Sequence, residues 1–260
     1  MILDQKKKLN YILNNILEKV PVNKKFILIH FNLIPFFNFK IDLNNILLLI
    51  KNRFKNNTIL MPTFTFNFNK LKKWSYKNSK SESGALSELF RKESNGRTIH
   101  PIHSIAYYGK HHSLIPRHEC NSSFGKKSTW EWICESGDVL NLSIGSKFNG
   151  GATFIHYLEE LFKVPYREYI YLKGKILNSN NKPVNKEFIY YARKNGCINS
   201  YSRFENFLIK KYIIKYHYEN KIPYFFCDIK KATRMIKSEF KKDTLYLLRR
   251  PYSRNANSSF

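Results

Sequence analysis

Cysteine is sparse in this chain and unpaired in its spacing. Cys120, Cys134, Cys197 and Cys227 are scattered, with no C-x-x-C step, which argues against a disulfide framework or a zinc site and for reduced thiols. Long apolar runs are missing too. A membrane-spanning helix needs roughly 20 consecutive apolar residues, and the densest stretch, residues 26–37, is interrupted by His30, Asn32 and Pro35. Residues 1–8 turn charged at once and contain no apolar segment of the secretory kind, so a cytoplasmic protein without a membrane span is expected. Acidic residues are few. Only 19 Asp and Glu stand against 45 Lys and Arg, for a formal net charge of +26. That balance invites a nucleic-acid partner. However, the basic residues run along the whole chain, and no recognised nucleic-acid motif accompanies them, so no nucleic acid is expected as partner. A basic cleft would still attract anionic ligands.

What is present is apolar material enough for a core, 43% of 260 residues, in helical and strand-like patterns. Leu9, Ile12, Leu13, Ile16 and Leu17 recur at helical spacing, and residues 25–31 (KFILIHF) read as a short buried strand. Asp42 is placed to cap a helix carrying Leu43, Ile46, Leu47, Ile50 and Phe54. Further strands are expected at 58–61, 104–109 and 138–144, and further helices at 84–92, 129–135 and 152–161. This alternation predicts an α/β layered core, α/β/α, around a mostly parallel or mixed sheet. Past Pro165 the texture becomes Tyr-rich and alternating, predicting a β-hairpin over 168–193 with its turn at SNNKP. Helices at 203–211 and 230–241 and a terminal strand at 244–248 complete the extension. The expected organisation is a single domain: a core to residue 165, an extension over 166–250, and a loose polar tail at 251–260.

Polar groups cluster at the ends of predicted strands, where ligands sit in open α/β sheets. The segments are ILIHFNL (27–33), ILMPTFTF (59–66), TIHPIHSIAYYG (98–109) and LSIGSKFNGGATFIHYLEE (142–160). His100 and His103 suggest a metal pair, but no third ligand follows and Pro101 breaks helical presentation, so no metal is expected. The run Asn149-Gly150-Gly151 lacks the Gly-Lys-Ser/Thr ending of a nucleotide loop and is better read as a tight turn before a helix. His156 and Glu159 lie one helical turn apart, so the carboxylate could orient the imidazole.

In order and spacing these segments resemble the aminoglycoside 3-N-acetyltransferase family. The resemblance rests on the strand ending at His30, Met61-Pro62-Thr63-Phe64, the SGALSE stretch (83–88) with Arg91, His100-Pro101 with Ser104, and Ser123-Phe124-Gly125 with Ser128. It continues in Gly145 and in the triplet Thr153, His156 and Glu159. VPYREY (164–169) and the hairpin resemble the subset of the family associated with surface-polysaccharide genes. The resemblance implies an acetyl-CoA-dependent acyltransferase with a small-molecule acceptor, an amino sugar or an aminoglycoside; a homodimer is compatible with it. It implies His156 as general base, with Glu159 as its support. It also implies a cofactor site formed by His30, Asn32, Leu33, Thr63, Ser104, Gly125 and Ser128, with Glu88 on the substrate side. The family commonly has Ser where Asn32 stands. The scarcity of acid argues for an anionic acceptor such as a nucleotide-linked amino sugar in glycan synthesis, with drug acetylation as the alternative. A basic nucleic-acid-binding protein without catalysis is the alternative of another class.

Overall fold

The computed structural model describes residues 2–116 and 120–249. Helix α1 (Ile2–Glu18) buries Leu9, Ile12, Leu13, Ile16 and Leu17 along one face. Strand β1 (Phe26–Phe31) runs into a 3-10 turn at Ile34–Phe36. Helix α2 (Leu43–Arg53) then starts at Asp42, whose carboxylate accepts from the Asn45 N–H at 3.1 Å. Strand β2 (Thr58–Pro62) leads through α3 (Phe68–Leu71) and β3 (Lys73–Ser75) to α4 (Ala85–Lys92), and then to the antiparallel strands β4 (Gly96–Arg97) and β5 (Ile105–Gly109). Helix α5 (Thr129–Glu135) precedes β6 (Val139–Ile144).

The helix expected over 152–161 is found as α7 (Ile155–Leu161), which begins three residues later and is preceded by a separate single turn, α6 (Phe148–Gly151). The break has a local cause. The Asn141 side-chain amide donates to the Gly151 carbonyl at 2.8 Å, occupying an acceptor that a continuous helix would offer to its own backbone. Ser143 donates to the Ser146 carbonyl at 3.1 Å. The two polar positions of β6 thus anchor the turn ahead of α7. Gly151 is required there, because a Cβ would drive into the Ser143 hydroxyl and the Phe225 ring.

Beyond the core, β7 (Arg167–Leu177) and β8 (Pro183–Arg193) pair as the expected hairpin, and β3 adds a parallel third strand. Helix α8 (Ser202–Lys210), strands β9 (His217–Glu219) and β10 (Ile222–Asp228), and helix α9 (Ile229–Lys242) complete the order. Two findings depart from expectation. Strand β10 returns to the main sheet antiparallel to β6. Residues 244–248 form turns rather than a strand, joined to the fold by an isolated bridge between Asn199 and Leu248. There Tyr246, Leu247 and Leu248 are buried consecutively, inserted among α8 and α9, so no alternating face exists for a sheet to use. The tail expected at 251–260 lies outside the described residues.

The main sheet is mixed and seven-stranded among the described residues, in the order β4-β5-β2-β1-β6-β10-β9. Its centre, β2-β1-β6, is parallel, flanked by antiparallel strands. Alternation along β1 sorts the core. Ile27 and Ile29 pack with α1, α2 and α4 on one face, and Phe26 and Leu28 pack with α5, α7 and α9 on the other. The three parallel strands therefore end together, at Phe31, Pro62 and Ile144.

Candidate active site

At those three ends a cleft opens, of ≈ 270 Å³, walled by His30, Asn32, Phe64, Ser83, Ser146 and Thr153 among others. Gly150 and Thr153 also border a smaller recess of ≈ 70 Å³ that reaches His156, Asn149 and Tyr201. Sharing these two lining residues, cleft and recess lie side by side between the β1 end and the first turn of α7, where ligands collect in open α/β sheets. None of the described residues lining either part is Asp or Glu.

His156 is the second residue of α7 and stays partly accessible, with a quarter of its side chain exposed, while Glu159 one turn on is fully buried. The carboxylate is held by four groups. Oε2 meets His156 Nδ1 at 2.5 Å and an Arg167 Nη2 donor at 2.6 Å. Oε1 accepts from the Tyr166 hydroxyl at 3.0 Å and the Asn199 amide at 3.2 Å. These contacts fill the acceptor positions of a carboxylate. Burial alone would raise the Glu159 pKa, but the imidazole and the Arg167 guanidinium hold it below the usual carboxylate value. Arg167 lies 3.0 Å from the same Nδ1. An ionised carboxylate only accepts, so the consistent assignment is Nδ1–H donating to Glu159, with the Arg167 guanidinium donating to the same oxygen rather than to Nδ1 and Nε2 left as the proton-accepting nitrogen. The edge of Phe124 packs on the ring, centroids 5.4 Å apart.

The segment before α7 is fixed as firmly. Besides the Asn141 and Ser143 contacts, the Phe148 N–H donates to the Tyr216 hydroxyl at 2.8 Å, and Tyr216 in turn donates to Glu205. The presentation of His156 is therefore set by β6, α7, β7 and the α8 region together. Arg167, Tyr166, Asn199 and Tyr201 were not among the residues the sequence pointed to. The only cue to Arg167 was a charged residue within VPYREY.

The remaining expected site residues separate into groups. His30 is buried at the cleft, and its Nε2 has no hydrogen-bond partner among the described residues; burial lowers its pKa to about 4. Asn32 lines the cleft, but its side chain ties β1 to β6, donating to the Gly145 carbonyl at 3.0 Å and accepting from the Ile34 N–H at 3.1 Å. Leu33 begins the 3-10 turn and packs toward the core. Thr63 and Ser104 are buried and face each other and Arg97 rather than the cleft. Ser128 is the N-cap of α5, accepting from the Glu131 N–H at 3.0 Å. Gly125 donates its N–H to Ser122 and lies against Glu160, leaving no room for a Cβ. Glu88 grips Arg91 through two contacts of 2.8 and 2.9 Å and accepts from the Ser81 N–H, so its carboxylate serves the α4 scaffold rather than the cleft.

His100 and His103 are buried beside Ser123, whose hydroxyl lies 2.8 Å from His103 Nδ1 and 3.3 Å from His100 Nε2. No group of three His, Cys, Asp or Glu side chains among the described residues is arranged to hold a metal ion. Burial raises the pKa of the Cys134 and Cys227 thiols, which suits inert thiols rather than nucleophiles.

A mixed α/β fold with a cleft at the parallel strand ends and a carboxylate-held histidine at its inner end defines a scaffold suited to acid-base group transfer. The model of the aminoglycoside 3-N-acetyltransferase family matches residues 36–241, and the chain belongs to that family of acyltransferases. Solved structures agree in fold. YokD from Bacillus subtilis superposes with a TM-score of 0.70 at 16% identity, covering 90% of this chain and 93% of that one. The aminoglycoside acetyltransferase AAC(3)-IVa, as apoenzyme, gives 0.70 at 18% identity, covering 92% and 90%. The AAC-IIIb binary complex with CoASH gives 0.72 at 13%, covering 88% and 95%. No curated protein matches the chain by sequence.

Proposed function

We propose that this protein transfers the acetyl group of acetyl-CoA to the amine of an amino sugar that is not a polycation, a nucleotide-linked sugar of surface-polysaccharide synthesis being the best fit, with His156 as general base. Acetyl-CoA supplies the activated acyl carbon. As the N–C bond forms and the C–S bond breaks, His156 Nε2 takes the proton the amine loses and can return it to the departing sulfur. Glu159 fixes the Nδ1–H tautomer and faces the imidazolium that forms. A reaction fed by acetyl-CoA suits the cytoplasm. The His30 end of the cleft, with its unpartnered Nε2, offers a polar contact to the co-substrate.

One observation carries the choice of acceptor: the absence of Asp and Glu from the described cleft lining. A multiply charged aminoglycoside would enter without a counter-charge, at a desolvation cost that a neutral or anionic sugar avoids. Against this stands the pairing of some fold neighbours with drugs, such as AAC-VIa bound to sisomicin. Thiol release from acetyl-CoA across UDP- and dTDP-linked amino sugars and a panel of aminoglycosides decides between them. Turnover of a nucleotide sugar is the expected result; turnover of aminoglycosides alone would transfer the function to drug acetylation.

A further inference from the structure

Beside the C-terminal half of α4 lies another and larger concavity, of ≈ 530 Å³. Its lining includes Lys77, Lys80, Arg91, Lys92 and Arg97, with Glu88 as its single carboxylate. Glu88 is bound on both oxygens by Arg91. Lys77, Lys80, Lys92 and Arg97 form no ion pair among the described residues. Three of these four are solvated lysines, but Arg97 is not: it is 3% exposed.

The surroundings of Arg97 show what it lacks. Its nitrogens donate to the Ser104 hydroxyl at 2.7 Å, the Ser79 carbonyl at 2.8 Å and the Thr63 carbonyl at 2.9 Å, and its guanidinium lies 4.7 Å from the centroid of the Trp74 ring. Every one of these partners is neutral. A buried guanidinium normally has a carboxylate or another anion beside it, because neutral acceptors satisfy its N–H groups without balancing its charge. Burial accordingly lowers its pKa to about 9. Among the described residues Nη1 has a single acceptor, the Ser79 carbonyl, and Arg97 forms part of the concavity wall. Glu88, the nearest acid in the wall, is already engaged.

We infer that this concavity is a binding site for a polyvalent oxyanion, the phosphate groups of a small molecule, with Arg97 at its floor and Lys77, Lys80 and Lys92 at its rim. Guanidinium and ammonium groups around one hollow are the donor set that recognises phosphate oxygens. The charge that the fold leaves unbalanced calls for a ligand with more than one negative charge.

Because the whole chain is strongly basic, the test must separate a built site from general anion attraction. Inorganic pyrophosphate is titrated calorimetrically into the full-length protein, into the rim variant Lys77→Gln/Lys80→Gln/Lys92→Gln, and into a control with the same charge removed from exposed positions of α9, Lys230→Gln/Lys231→Gln/Lys241→Gln. Thermal melts establish that both variants fold. The expected result is one-to-one binding, weakened about tenfold or more in the rim variant and little changed in the control. Equal weakening in both variants, no difference in the rim variant, or no saturable binding overturns the site. A repeat at saturating CoA identifies the source of the phosphates. Undiminished pyrophosphate binding assigns the hollow to a phosphorylated ligand other than CoA, and competition assigns it to the phosphates of CoA itself.

Discussion

Two histidine regions lie on either side of Phe124, whose ring packs on both His156 and His103. His156 faces a cleft, is backed by an ionised carboxylate and keeps one nitrogen free. His103, with His100, is enclosed by Phe64, Phe66, Phe124, Phe188 and Tyr190 and meets only a serine and backbone groups. Burial lowers the pKa of both enclosed rings, to about 4 for His100 and well below the ordinary histidine value for His103. The same side chain, packed on one shared aromatic ring, is a proton acceptor in one setting and a neutral packing element in the other. The difference lies in the counter-charge and the access to solvent, not in the residue.

The comparison breaks most directly at His156. His156→Ala should lower kcat by about 10²- to 10⁴-fold, the ordinary worth of a positioned general base, with melting temperature little changed; a loss of less than tenfold in thiol release would remove it from the chemistry. Next in size, Glu159→Gln leaves Arg167 buried without its counter-charge, and chemical denaturation should show about 3–5 kcal/mol less stability together with a reduced kcat. A variant as stable as the parent would mean that the Glu159–Arg167 contact carries no weight.

A third effect, read as a slope against pH, concerns the enclosed histidines. Their folded pKa values lie below the unfolded one, so the unfolded chain binds more protons as the pH falls from 6.5, down to about 4 in the case of His100. Stability is therefore complete above pH 6.5 and falls as the medium acidifies through that window, by up to about 1.4 kcal/mol per pH unit for each such ring. Glu159, also depressed, adds to the loss only below its ordinary value of 4.5. His100→Asn retains an acceptor near the Ile102 and His103 N–H groups but does not titrate. Urea melts from pH 7 to 4 should show a shallower slope for it, and an unchanged slope would contradict the burial.

Legibility in the sequence varied by element. The helix face of residues 9–17, the Asp42 cap and the hairpin come from local periodicity and turn chemistry. The His156–Glu159 pair is a local signal too, three residues apart on one helix. The features that escaped reading depend on distant chain. Arg167 and Tyr166 reach Glu159 from the start of β7, and Asn199 from a loop 40 residues away. Strand β10 contains Pro223 and a continuous apolar run, IPYFFCD, whose place beside β6 no local pattern announces. The separate turn α6 ahead of α7 depends on Asn141 of β6, a tertiary contact to the Gly151 carbonyl that the pattern of residues 152–161 does not announce. Thr63, Ser104 and Glu88 were expected as ligand contacts on the family resemblance. Their partners, Arg97 just ahead of the 98–109 segment and Arg91 one turn on from Glu88, engage them internally.

The position of Arg167 at the first residue of β7 has a practical consequence for recombination. A natural join for exchanging the hairpin and the C-terminal elements, in order to retarget the acceptor, would fall near Pro165. A chimera cut there would separate Tyr166 and Arg167 from the carboxylate they hold, and a donor sequence without an equivalent pair would leave Glu159 as a lone charge in the interior. Grafts should instead keep residues 166 and 167 from the recipient and begin at Glu168, where the side chain is already exposed.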